Sequence, residues 1–101
     1  MSTTSAATMA DINIERTHDL GTEQARQTVE NVAQEMAGRF DLEYWWEHNV
    51  LHFHRRGVNG RMEVEDSMVR VLVRLGLLMQ PLKSRISREI ESYLKRLLNG
   101  A

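Results

Sequence analysis

From Tyr44 to Leu75 apolar and polar residues alternate along the chain. Turns at His48-Asn49, at Gly57-Val58-Asn59-Gly60 and at Asp66-Ser67 put Tyr44, Trp46, Leu51, Phe53, Met62, Val64, Val69, Val71 and Val73 on one side. The pattern predicts a four-stranded antiparallel meander with one apolar face. Its other face collects Trp45, His52, His54, Glu63, Glu65, Arg70, Leu72 and Arg74. In this register His54 lies opposite Glu63, Phe53 opposite Val64, and Glu63 opposite Arg70, so that His54, Glu63 and Arg70 form a transverse row. Such pairs help to fix register and do not by themselves imply catalysis.

Helical periods flank the meander. Asp11 to Arg16 alternates as a strand with Ile12 and Ile14 inward, and Leu20-Gly21-Thr22 breaks it. Thr22 is placed to cap a helix with Glu23 in its first turn, where a negative charge suits the dipole. Ala25, Val29, Val32, Ala33, Met36 and Phe40 then form one apolar stripe, with Gly38 as the expected stop. Beyond Gly76, Pro81 suits the first turn of a second helix, whose stripe is Leu82, Ile86, Ile90, Tyr93, Leu94 and Leu97 and whose end is Asn99-Gly100. The order β-α-β-β-β-β-α predicts an α+β fold, an antiparallel sheet of four to five strands with two helices packed on one face. An edge and a central place for the first strand are both open. Residues 1–10, small and polar, read as a disordered tail, and 11–101 as a single domain.

Composition narrows the function. The chain has 101 residues and no cysteine, so disulfides, thiolate ligands and thiol nucleophiles are excluded. The longest apolar run, Leu75 to Met79, is far short of a membrane span, and the first ten residues lack the form of a secretory signal, so a cytoplasmic protein is expected. Charge is uneven: residues 10–47 carry nine acids and three bases, residues 48–99 ten bases and five acids. Opposite charges within one small domain neutralise each other without a partner, and no dense basic stripe marks a nucleic-acid binder.

Candidate chemistry is sparse. His52 and His54, two apart on one strand face near His48, Glu63 and Glu65, have a spacing that can meet a divalent metal, but alternating histidines are common on polar faces and no metal or other cofactor is expected. His18, ahead of the first helix, fits a structural hydrogen bond to nearby backbone. The serines sit in a turn or along the last helix rather than in a nucleophile elbow, and Gly57 to Gly60 lacks the Lys and Ser/Thr of a phosphate loop. An enzyme is not expected. Trp45, Met68 and Leu72 fall on the outer face among arginines, as in surfaces buried on binding. Trp45, His52, His54, Arg70, Leu72 and Arg74 therefore form the candidate interaction face.

The chain resembles the small bacterial family of polyhydroxyalkanoic acid system proteins. The likeness rests on Ile12-x-Ile14-x-Arg16-x-His18-x-Leu20-Gly21 followed by Ala25, on Trp46 ahead of Leu51-x-Phe53, and on Gly57-Val58-x-Gly60-x-Met62-x-Val64. It continues through Leu75-Gly76, Leu82, Ile86, Ile90 and Leu94. The resemblance implies an accessory role in polyester storage, with polyhydroxyalkanoate granules or granule proteins as partners and no catalytic residues to carry over. The leading expectation is self-association, as a homodimer, or binding to a protein or polymer surface through the outer sheet face; the alternative is a small binding module that holds an acyl chain or other apolar ligand between the sheet and the C-terminal helix.

Overall fold

A computed structural model of the protein describes residues 10–98. Strand β1 (Ile12–Thr17) leads to helix α1 (Gly21–Phe40). Four strands follow, β2 (Glu43–Glu47), β3 (Val50–Arg55), β4 (Val58–Val64) and β5 (Met68–Leu75). A 3-10 segment (Leu77–Leu82) then feeds helix α2 (Lys83–Leu98). All neighbours in the sheet are antiparallel, in the order β1-β5-β4-β3-β2, so the first strand takes an edge beside β5. The α+β fold and its element order agree with the sequence pattern. Residues 1–9, nearly all of the expected tail, the Leu97 side chain and the Asn99-Gly100 helix end lie outside the described residues.

Strand alternation sorts the two faces. Ile12 pairs with Val73, Ile14 with Val71, Met62 with both Val71 and Leu51, and Trp46 with Leu51. These side chains meet Ala25, Val29, Val32, Ala33 and Met36 of α1 and Ile90, Tyr93 and Leu94 of α2 in one buried cluster. Burial of this apolar surface is the main stabilising term. Arg39 Nη1 of α1 also donates to the Tyr93 hydroxyl of α2.

The structure corrects one turn and three helix boundaries. Arg55 pairs with Val58, so the β3–β4 turn is Arg56-Gly57, with Gly57 at φ 85°, and Val58, Asn59 and Gly60 belong to β4. His54 therefore faces Asn59, and the expected His54–Glu63 pair does not form. The shift is four residues, an even number, so no side chain changes face. The other two turns and the Glu63–Arg70 pair agree with the sequence reading, whereas Phe53 faces Gly60 and not Val64. Helix α1 starts at Gly21 with no side-chain cap from Leu20, and Thr22 turns its hydroxyl to Asp66 instead. It passes through Gly38 and ends at Asp41, a short polar residue that tolerates φ 60° and donates its N–H to the Ala37 carbonyl oxygen. Pro81 and Leu82 fall in the 3-10 segment, ahead of α2.

Gly60 is needed for space. The Phe53 ring lies across it, and an added Cβ would overlap that ring and come within 2.9 Å of the Leu72 carbonyl oxygen. Gly38 has nothing within 4 Å of an added Cβ. Urea unfolding should show Gly60→Ala costing about 1–3 kcal/mol through overpacking. Gly38→Ala should gain up to about 1 kcal/mol by removing a glycine from a helix interior.

Candidate functional site

Among the described residues, the outer sheet face carries an exposed aromatic group and the space beneath α2 is a largely apolar concavity. On the outer face Trp45 is 48% exposed and stacks on His52, ring centroids 5.5 Å apart. Strand geometry explains the outward turn of Trp45. Its neighbours Tyr44 and Trp46 point inward, where Glu30 of α1 accepts the Trp46 indole N–H and the Tyr44 hydroxyl, both at 2.8 Å, and the Gln34 amide at 2.9 Å. Arg26 lies 4.4 Å above the Trp46 ring. With both neighbours held, Trp45 can only face out.

The rest of that face is knitted by charge. Arg70 donates to Glu15 at 3.0 Å and to Glu63 at 3.2 Å, Arg61 pairs with Glu63 at 2.7 Å, and His52 Nε2 meets Glu47 at 2.9 Å. His54 Nδ1 is 2.7 Å from the Asn59 amide oxygen. His52 and His54 thus serve different partners, and no group of three or more metal-binding side chains is assembled among the described residues. Arg74 is exposed and Met68 partly so. Leu72 departs from expectation: it lies on the outer face yet is only 5% exposed, because β5 is interior to the sheet and Leu72 sits between Asn13 of β1 and Arg61 of β4. A shallow depression of about 250 Å³ is bordered by Trp45, His52, Arg61, Leu72 and Arg74.

Beneath α2 lies an apolar cavity of about 260 Å³. Phe53, Val58 and Val73 of the sheet floor it, Met36 and Phe40 of α1 close one side, and Met79, Leu82, Ile86 and Ile90 close the other. Arg55, Arg85 and Glu89 supply its polar groups. The 3-10 segment makes this wall because the Met79 N–H returns to the Gly76 carbonyl oxygen at 2.9 Å, while the Gly76 N–H is held by Gly57 at 2.7 Å. That tight path leaves Leu77 and Leu78 88% and 92% exposed, with Leu82 partly exposed beside them. The sequence pattern anticipated a space between sheet and C-terminal helix, but not the solvent-facing leucines or the polar trio. The bracketing of Leu77-Leu78 by Gly76 and Pro81 was the available signal, since both residues interrupt regular structure.

His18 is structural, as its position suggested. The Leu20 N–H donates to its Nδ1 at 3.1 Å, so Nε2 carries the proton and donates to the Glu65 carbonyl oxygen at 3.0 Å. This buried ring ties the start of α1 to the β4–β5 turn. No helix among the described residues is long and apolar enough to cross a membrane.

The family comparison accords with this architecture. The sequence profile of the polyhydroxyalkanoic acid system proteins matches residues 12–98, and the chain belongs to that family. No curated protein and no solved structure matches it.

Glu30 gives this region a pH signature. The Trp46 hydrogen bond, followed by those from Tyr44 and Gln34, holds its carboxyl below the ordinary value of 4.5 against the opposing effect of burial. The folded protein therefore binds this proton less tightly than the unfolded chain. The stabilisation is complete above about pH 4.5 and is lost as pH falls through the lowered folded value. Thermal melts from pH 7 to pH 3 should show Glu30→Gln less stable than the parent at neutral pH and with a shallower loss on acidification.

Proposed function

We propose that the protein acts without catalysis of its own in the polyhydroxyalkanoate system, by binding acyl chains of the polyester in the cavity beneath α2. One observation carries this reading. The 3-10 segment lines the cavity with Met79 and Leu82 while presenting Leu77 and Leu78 to solvent. Two adjacent leucines this exposed cost apolar hydration in the free protein, and contact with a hydrocarbon-rich surface removes that cost. The leucines would meet the polymer, and the cavity behind them would take a chain segment. Granule attachment in the cytoplasm follows from this reading.

A second reading uses the outer face, where the exposed Trp45–His52 stack, with His54, Arg70, Leu72 and Arg74, would contact a second copy or a granule protein. Much of that face is already committed to internal ion pairs, and Leu72 is covered, so less free surface is left for a partner.

Partition onto isolated polyester granules separates the two. Leu77→Ser with Leu78→Ser should lower the bound fraction at least tenfold while circular dichroism stays unchanged, since both side chains already face water. Trp45→Ser should leave partition intact. The reverse pattern would transfer the contact to the sheet face.

A further inference from the structure

From Ser67 to Arg88 the chain contains no acid and five bases, Arg70, Arg74, Lys83, Arg85 and Arg88. Within this stretch the 3-10 segment holds Leu77 and Leu78 almost wholly in water. The projection is preformed. The Gly76 N–H donates to Gly57, the Met79 N–H returns to Gly76, and the Gln80 side-chain amide donates to the Leu75 carbonyl oxygen at 3.1 Å, so the backbone carrying the leucines is held on both sides. The bond to Gly57 also brings the exposed Arg56 of the β3–β4 turn beside the segment. Arg74 precedes the segment on β5, Lys83 and Arg85 follow it on α2, and all three are exposed. The acids on its flanks are already engaged. Asp11 accepts the Leu75 N–H at 2.7 Å, which with the Gln80 amide and the nearby charges of Lys83 and Arg74 holds its carboxyl below the usual aspartate value, and Glu89 faces Arg39 and Arg85.

Resting on the contact of Leu77 and Leu78 with a hydrocarbon-rich surface, as read above, we infer that this surface carries anionic phospholipid headgroups. The two leucines enter its acyl layer, and Arg56, Arg74, Lys83 and Arg85 meet its phosphates. A bare polyester or neutral lipid would use the leucines and leave these cations without a counter-charge, whereas an anionic lipid layer uses both. The tip has no aromatic residue and no matching groove around it, which suits a fluid acyl layer and not the fixed pockets of a protein partner, where aromatic anchors predominate.

The test is co-sedimentation of the full chain, at neutral pH, with vesicles of phosphatidylcholine alone and with vesicles that also contain phosphatidylglycerol. The phosphatidylglycerol vesicles should take up the protein at least tenfold more strongly, and raising salt to about 0.5 M should remove most of the difference. Leu77→Ser with Leu78→Ser should abolish uptake, and Arg74→Gln with Lys83→Gln should lower it toward the phosphatidylcholine value; all four side chains face water, and circular dichroism checks that the fold is kept. Polyglutamate, an anion without hydrocarbon, should not bind. Equal uptake by both vesicles, no uptake by either, or uptake that survives loss of the leucines would overturn the anionic layer. Polyglutamate binding as tight as vesicle binding would also overturn it and transfer the cations to an acidic protein. Partition onto lipid-extracted polyester granules, measured in parallel, tests the acyl-chain reading separately: that reading stands if partition persists when the vesicles fail, and falls if partition is lost.

Discussion

A strand can turn only alternate side chains inward, and in this sheet most of the large aliphatic residues of five strands, Val50, Met68 and Leu72 apart, share one side. Two helices on that side are then enough to bury the core. The remaining features follow from how the chain satisfies this demand. Helix α1 spans β4 and the β2 edge, and α2 covers β1 and the flank of α1. Between the two helices, over Phe53 and Val73, neither fills the space completely. The 3-10 segment reaches across the gap with Met79 and Leu82, and geometry leaves Leu77 and Leu78 on the far side of the backbone, in water. Core formation and the exposed leucines have the same origin.

Charge complementarity between an acidic first half and a basic second half operates in both layers. Glu15 meets Arg70 on the outer sheet face, while Glu35 meets Arg96 and Arg39 of the acidic half reaches Glu89 between the two helices. Each pair is partly exposed and contributes little alone. Together they place opposite charges across element boundaries, so the uneven distribution along the chain is largely compensated in the fold. Glu30 is of another kind. Its carboxylate accepts three hydrogen bonds and clamps the inward side chains of an edge strand that has a partner on one side only.

Alternation was legible because it is insensitive to an even error in register. Moving the β3–β4 turn from the span Gly57 to Gly60 to Arg56-Gly57 displaced partners by four residues and left each side chain on its face. What was illegible has physical reasons. Glycine serves two demands in this segment, positive φ at Gly57 and room for the Phe53 ring at Gly60, and a sequence shows the residue without the demand. Leu72 was placed on the correct face, but its burial depends on lateral neighbours, and the edge position of β1 could not be read from pattern. Glu30 looked like any acid on a wet helix face until β2 was known to lie beside it. The Leu75 to Met79 run is too short for a membrane span, and pattern alone did not show that two of its leucines, Leu77 and Leu78, find no place in the core. His18 was readable because a histidine between a strand and a helix has few roles other than bonding nearby backbone.

Photocross-linking with a decanoyl probe bearing a terminal diazirine, followed by peptide mapping, tests most directly whether an acyl chain enters beneath α2, as proposed, and not across the outer sheet. Adducts are expected on Met79, Ile86 and Ile90. Adducts confined to Trp45, Arg61 and Arg74 would contradict entry beneath α2.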